Sequence, residues 1–170
     1  MSHITSVSNN CVQIIQHYEG FRATAYECPT SLALSKVDPN KAFYTIGFGQ
    51  TFYENDQSIK KGDVITLERG IELLTFMLNK VAKQVDVYTR DDINQNQMDA
   101  ICSFTFNIGI GNLHSSTLLK LININPNDFV NITAEFMKWN QSDHVVLDGL
   151  TSRRHSEATL YSTGKVVFYN

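Results

Sequence analysis

The sequence predicts an α+β fold, mainly helical, with a small antiparallel sheet in the N-terminal lobe and an all-helical C-terminal lobe. Two observations carry this prediction. Runs of β-prone residues alternate with turn signals between Phe21 and Tyr53, and apolar residues recur at helical spacing after Gly62. We therefore expect a single domain made of an N-terminal helix and β lobe, about 1–62, and a helical lobe, about 63–170.

Length and composition restrict the class of protein. The chain has 170 residues, of which 42% are hydrophobic and 18% charged, as is usual for a globular domain. Its sequence has neither the apolar run of about 18 residues that spans a membrane nor the basic and apolar regions of a secretory signal. We therefore expect no membrane anchor. The formal net charge of −3 gives no reason to expect nucleic acid as a partner.

The cysteines and histidines do not have the spacing of a metal site or a disulfide framework. Cys11, Cys28 and Cys102 are far apart in the sequence, so we expect reduced thiols. These residues predict no metal site.

The first predicted helix ends at Glu19. Val12, Ile15 and Tyr18 lie at helical spacing after a polar cap, and Gly20 is a natural stop. The β-prone runs that follow predict the small sheet. Between them, "SLALSKVDPNK" predicts an extended hairpin tip.

Five helices are predicted after the sheet. The longest begins after a Thr66 cap and continues through Val85, and the next is apolar on nearly all sides and ends near Gly109. Three shorter helices follow, and they are predicted in the segments "SSTLLKLIN", "PNDFVNITAEFMKWN" and "TSRRHSEATLYS".

Five motifs occur in one order between about His17 and Tyr161, namely "EGFRATAY", "TIGFGQT", "FNIGIG", "STLLKLIN" and "GLTSRRHSE". Together they resemble the phage-type lysozymes, glycoside hydrolase family twenty-four, which act as endolysins. The resemblance implies a lysozyme-like fold and cleavage of the β-1,4 bond between N-acetylmuramic acid and N-acetylglucosamine. It also implies that the partner is the peptidoglycan glycan strand and that cleavage needs neither a metal ion nor a cofactor. We expect a monomer that stays in the host cytoplasm until a holin-type release lets it reach the periplasmic cell wall.

Glu19 is the candidate general acid. Hydrolysis of a glycosidic bond needs a proton for the leaving oxygen, and a carboxyl group can supply it. Partial desolvation near Tyr18 and Tyr26, at the negative end of a helix dipole, would favour the protonated form that this role requires. The alternative is a solvated glutamate that simply ends a helix.

Cys28 lies nine residues after Glu19, where the family usually has an aspartate. A neutral thiol can orient the attacking water, and a thiolate can stabilise the developing positive charge; we favour the first role. Asp38 is the alternative second residue, because the chain is longer than usual for the family before Thr45. We prefer Cys28 because its spacing from Glu19 is preserved and Asp-Pro-Asn is an ordinary turn. A third reading makes Cys28 a small buried hydrophobe.

Thr45 matches the threonine of the family motif Thr-Ile-Gly-x-Gly. Its hydroxyl and Cys28 can hold the attacking water between them, although threonine is also a common strand former. Gly47 and Gly49 let the backbone approach the sugar or form a bulge that shapes the sheet. One carboxylate facing a water-binding pair predicts an inverting mechanism.

Four further residues are candidates for substrate binding. Phe106 can stack on a sugar or pack in the core, and Asn107 can donate to an acetamido group. Thr117 can contact substrate or help Ser116 to cap a helix. Arg153 resembles a family arginine near the cleft and can bind an anionic group of the substrate or form a structural salt bridge.

Two other functions remain open at this point. A bacterial effector muramidase would have the same fold, and a non-catalytic relative would bind the cell wall without cleaving it. Glu19 and Thr45 are both present, which favours the enzyme.

Overall fold

A computed structural model describes residues 3–28, 43–142 and 145–170. The elements within these ranges are α1 Asn9–Glu19, β1 Arg22–Glu27, β2 Tyr44–Gly47, α2 Leu67–Asp86, α3 Gln95–Ile108, α4 Ile110–Ser115, α5 Thr117–Ile124, α6 Phe129–Met137, β3 Gln141–Ser142, β4 Val145–Val146 and α7 Asp148–Thr163. This combination of helices and antiparallel strands confirms the predicted α+β class.

The chain divides into two compact units. One is Glu19–Met77, called here the sheet unit, and the other is Met1–Tyr18 with Leu78–Asn170, called here the helical unit. The residues of α1 up to Tyr18 thus belong with the C-terminal helices. That the whole chain is a single domain stays a prediction.

The sheet unit is built on the antiparallel pair β1 and β2, in which Tyr26 lies opposite Thr45. Within β1, the Ala25 N–H donates to the Asp63 carbonyl at 2.9 Å. The predicted antiparallel sheet is therefore confirmed for the strands that the structure describes. The predicted hairpin tip at 31–41 lies outside the described residues.

A small apolar core holds the sheet unit together. Ile46, Ile59 and Leu73 are buried in it, and Tyr44 and Tyr53 pack against them. Burial of aliphatic side chains of this size is worth about 1.5–3 kcal/mol each. This core fixes the strand that carries Thr45.

α2 confirms the predicted long helix and its cap. The Thr66 hydroxyl accepts the Arg69 N–H at 3.2 Å, one of the bonds that an N-terminal cap supplies. The helix then continues for 20 residues.

The helical unit is organised around α3, which packs against α7, while α6 also packs on α7. Asn94 and Gln97 form a reciprocal capping box at the start of α3. The rings of Phe104 and Phe136 meet edge to face at 5.2 Å between centroids. The predicted buried helix is confirmed, with Gly109 as the residue that follows its end.

α1 is attached to α3 by polar contacts. The Ser8 N–H donates to the Asp99 carboxylate at 2.8 Å, and the Asn10 side chain donates to Asn96 at 3.0 Å. Cys11 and Ile14 of α1 are fully buried. Because of these contacts, α1 belongs to the helical unit. Its position before the strands had suggested that it would belong with the sheet.

Three features of the helical unit differ from the prediction. α4 follows α3 with only Gly109 between them, because that glycine takes a positive φ of 86° that turns the chain at once. The strands β3 and β4 pair between α6 and α7, so the lobe is not all-helical. α7 is 16 residues long rather than short.

Among the helices of the described ranges, none has the length and apolar character that crossing a membrane requires.

Candidate active site

Glu19 is the last residue of α1 and the first of the sheet unit. The helix stops there because Gly20 takes a positive φ of 67°, which glycine adopts without strain. The Glu19 side chain is exposed. The structure therefore does not show the expected partial desolvation of this residue.

Backbone pairing places Cys28 and Thr45 on one face of the sheet. Thr45 lies opposite Tyr26, and the Cys28 N–H donates to the Phe43 carbonyl at 2.8 Å, which extends the pairing by one step beyond β1. Side chains alternate along a strand, so Cys28, Tyr26 and Thr45 share a face. Cys28 and Thr45 are diagonal neighbours there, roughly 7–8 Å apart at their backbones.

Thr45 is buried, with 4% of its surface exposed. Among the residues that the structure describes, no group hydrogen-bonds its Oγ1 atom. Leaving a buried hydroxyl unpaired costs about 1–3 kcal/mol, so such groups usually have a functional reason. The unsatisfied hydroxyl favours a role for Thr45 beyond strand formation, and that role stays a prediction.

The turn after Thr45 depends on glycine. Gly47 has a φ of 65°, and a Cβ there would lie 2.6 Å from Gln50 Oε1. Gly49 has a φ of 95°, and within the described ranges no atom lies within 4 Å of its Cβ position. Phe48 is buried and packs against Phe21, with ring centroids 5.4 Å apart. Gly47 thus shapes the turn, and Gly49 is the position with open space beside it.

The other predicted binding residues lie in the helical unit. Phe106 is half-buried and Asn107 is exposed at the end of α3. The Asn107 Oδ1 atom accepts from Arg154 Nη2 at 3.0 Å. Thr117 is exposed, whereas Ser116 caps α5 by accepting the Leu119 N–H at 3.0 Å, which confirms Ser116 as the cap.

Arg153 and Arg154 share the carboxylate of Glu157. Arg153 Nε lies 3.1 Å from Oε1 and Arg154 Nε lies 2.9 Å from Oε2, and all three residues are buried. Ser103 also donates to Glu157 at 2.7 Å. Because Arg153 is only 3% exposed, the geometry favours the structural salt bridge over a contact with substrate.

Sequence reasoning missed Gln50. Its side chain is buried, although glutamine is usually exposed, and it stands at the turn after Thr45. A polar residue directly after the second glycine of an apolar motif was the available signal.

Comparison with known proteins identifies the family of this chain. A family model described as phage lysozyme matches residues 16–157. The endolysin of Bacillus phage B103 is 36% identical over 160 residues, which are 94% of this chain and 55% of that protein. The endolysin of Acyrthosiphon pisum secondary endosymbiont phage 1 is 33% identical, with 92% of this chain and 98% of that protein covered.

The fold leads to the same family. The solved endolysin from Escherichia coli O157:H7 phage FAHEc1 superposes with a TM-score of 0.79 at 26% identity, covering 99% of each chain. This chain belongs to the phage lysozyme family, which confirms the predicted family and fold. It spans about half the length of the Bacillus phage relative and nearly the whole of the endosymbiont phage relative.

Proposed function

We propose that this chain is an endolysin that hydrolyses the β-1,4 bond between N-acetylmuramic acid and N-acetylglucosamine in peptidoglycan, with inversion at the anomeric carbon. The observation that carries the proposal is the shared sheet face of Cys28 and Thr45, in the compact unit that Glu19 begins. Family membership supplies the reaction class.

Glu19 is the proton donor in this proposal. Its exposed carboxyl group can approach the glycosidic oxygen of a long polymer without any rearrangement of α1. A bound sugar would displace water from around the carboxyl group, and this desolvation would favour the protonated acid. The proton then passes to the leaving oxygen as the bond to the anomeric carbon breaks.

Thr45 and Cys28 are the water-positioning pair. The Thr45 hydroxyl, which no described residue hydrogen-bonds, can both donate and accept, and the half-buried Cys28 thiol lies on the same face. A water held by the two groups attacks the anomeric carbon from the side opposite Glu19, and its proton leaves to solvent. Attack from that side inverts the anomeric configuration.

The proposal also includes the substrate, the oligomeric state and the route by which the chain reaches the cell wall. The glycan strand of the host cell wall is the substrate, and the chain acts as a monomer. It accumulates in the host cytoplasm and reaches the wall after a holin opens the membrane. Lysis of the host is the outcome.

The test is digestion of isolated peptidoglycan by the purified chain and by Glu19→Gln. We expect the variant to lose about 10²–10⁴-fold in rate, the contribution of a general acid. Glu27→Gln is the matched control, because Glu27 is an exposed glutamate on β1. Wild-type activity in Glu19→Gln would refute the proposed acid. Anomers of the fresh product, followed by NMR, should be α, and a β product would exclude inversion.

The second site residue needs its own comparison. We expect Cys28→Ala to lose activity and Cys28→Asp to keep much of it, because a carboxylate can also hold the water. Asp38→Ala should remain active. Full activity in Cys28→Ala together with an inactive Asp38→Ala would move the assignment to Asp38.

A further inference from the structure

Gln50, in the turn that follows β2, has a buried polar atom that no described residue hydrogen-bonds, as Thr45 does. Its side chain is 4% exposed, and its Oε1 atom accepts the Phe48 N–H at 2.8 Å. Within the part of the chain that the structure describes, its Nε2 atom is buried without a hydrogen-bond partner. One end of the amide is therefore bonded, and the other end is a donor for which the described residues supply no acceptor.

The position of this amide is fixed. The Gln50 N–H donates to the Ile46 carbonyl at 3.0 Å, and the Ile46 N–H donates back to the Gln50 carbonyl at 2.9 Å. Gly47 leaves the space that Oε1 occupies, since a Cβ there would approach it to 2.6 Å. Gln50 is thus built into the turn, and its free donor cannot easily turn away.

Thr45 Oγ1 and Gln50 Nε2, two buried polar atoms that no described residue hydrogen-bonds, lie in one six-residue segment. Either atom alone would cost about 1–3 kcal/mol unless something satisfies it. They do not bond each other, and a single water molecule can hydrogen-bond both a hydroxyl and an amide N–H. Buried waters of this kind commonly satisfy several protein atoms at once.

We propose that Gln50 is a positioning residue for Thr45. When substrate binds, the turn takes up one water, which accepts from Gln50 Nε2 and bonds the Thr45 hydroxyl. This bond fixes the direction in which the hydroxyl points toward the attacking water. The inference rests on the proposed function, because it gives the Thr45 hydroxyl its task.

Gln50→Glu separates the two ends of the amide. The introduced carboxyl group keeps an oxygen for the Phe48 N–H but loses the donor when it is ionised. When it is protonated, it regains a donor through its O–H. We expect kcat to fall about tenfold at pH 8, as for one lost hydrogen bond, and to recover relative to wild type as the pH is lowered, with KM unchanged.

Two variants control this experiment. Gln50→Met has no donor at any pH, so its loss of kcat should not recover in acid. Gln57→Glu changes an exposed glutamine of the same unit and should keep the wild-type profile. A ratio of Gln50→Glu to wild type that stays near one at all pH values would overturn the inference.

A double-mutant cycle tests that Gln50 acts through Thr45. In a Thr45→Val background, Gln50→Met should cause no further loss of kcat, because the hydroxyl it positions is gone. Independent, multiplying losses would show that Gln50 only supports the turn. If Glu19→Gln is inactive while the Gln50 variants are fully active, this inference fails and the proposed function stands.

NMR of the side-chain amide covers the case in which the variants do not fold. In Glu19→Gln, the Gln50 Nε2 proton signals should shift when an N-acetylglucosamine oligomer is added. Unchanged Gln50 signals at saturating oligomer would contradict the inference.

Discussion

The two compact units differ in how their buried polar groups are paired. In the sheet unit, Thr45 and Gln50 each bury an atom that no described residue satisfies. In the helical unit, Arg153, Arg154 and Glu157 are buried just as deeply but form ion pairs, with N–O distances of 2.9–3.1 Å. The buried charges of the helical unit are thus paired with one another, whereas the buried polar atoms of Thr45 and Gln50 meet no hydrogen-bond partner among the described residues.

This difference predicts that substitutions in the two units affect stability and activity differently. Removing one partner from a buried ion pair leaves a charge without compensation and costs several kcal/mol. Removing a buried group that has no partner costs little and can even stabilise the fold. Variants in the two units should therefore separate loss of folding from loss of activity.

The largest effect is expected from Glu157→Gln. Arg153 and Arg154 would lose the carboxylate that both contact, and the free energy of unfolding should fall by about 3–5 kcal/mol, measured by urea denaturation. Glu72→Gln is the control, since that carboxylate is 67% exposed and its loss should change stability by at most about 0.5 kcal/mol. A loss below about 1 kcal/mol for Glu157→Gln would contradict the expected contribution of these buried ion pairs to the stability of the helical unit.

Thr45→Val should show the opposite pattern. The substitution removes a hydroxyl that no described residue hydrogen-bonds, so stability should be unchanged or higher by about 1 kcal/mol. The rate on peptidoglycan should fall about 100-fold, which corresponds to about 2.7 kcal/mol. Thr75→Val is the matched control, because the Thr75 hydroxyl already donates to the Ile71 carbonyl at 2.8 Å. A clearly destabilised Thr45→Val with full activity would reverse our assignment.

The smallest effect concerns the ion pair of Arg69 and Glu54 in the sheet unit, which are 2.6 Å apart and 39% and 29% exposed. The hydrogen bond from Arg69 lowers the pKa of Glu54 below its usual value. A lowered pKa stabilises the fold above the ordinary carboxyl range, and this stability is lost as the pH falls through the lowered value. Exposure limits it to less than about 1 kcal/mol.

Unfolding of wild type and Glu54→Gln across pH measures this contribution. The difference between them should be present near neutral pH and disappear in acid. A difference that is the same at every pH would show that the charge of Glu54 contributes nothing. In that case the exposure of an ion pair, and not the unit in which it lies, would determine how much it stabilises the fold.

Local signals in the sequence predicted the parts of the fold that local chemistry decides. Gly20 ended α1, and the Thr66 cap began α2. The spacing from Glu19 to Cys28 and the position of Thr45 on a strand were also readable, and strand pairing then places Cys28 and Thr45 on one face. Their catalytic roles stay predictions.

Long-range contacts decided the parts that the sequence did not reveal. α1 joins the helical unit through Asp99 and Asn96, which lie far along the chain. Glu157 contacts both Arg153 and Arg154 because three positions of one helix turn inward together, and the apolar pattern of α7 does not show this. Gln50 looked like an ordinary polar residue because its burial depends on how the whole turn folds.

The burial of the cysteines also determines how the protein responds to thiol reagents. Cys11 and Cys102 are fully buried, and burial raises the pKa of each thiol, which makes the reactive thiolate scarce. Cys28 is half-buried, so reagent can reach it first. An alkylating agent should therefore label the native protein once and the unfolded protein three times. Reversible disulfide reagents would then give a chemical switch for this sheet face without any change of sequence.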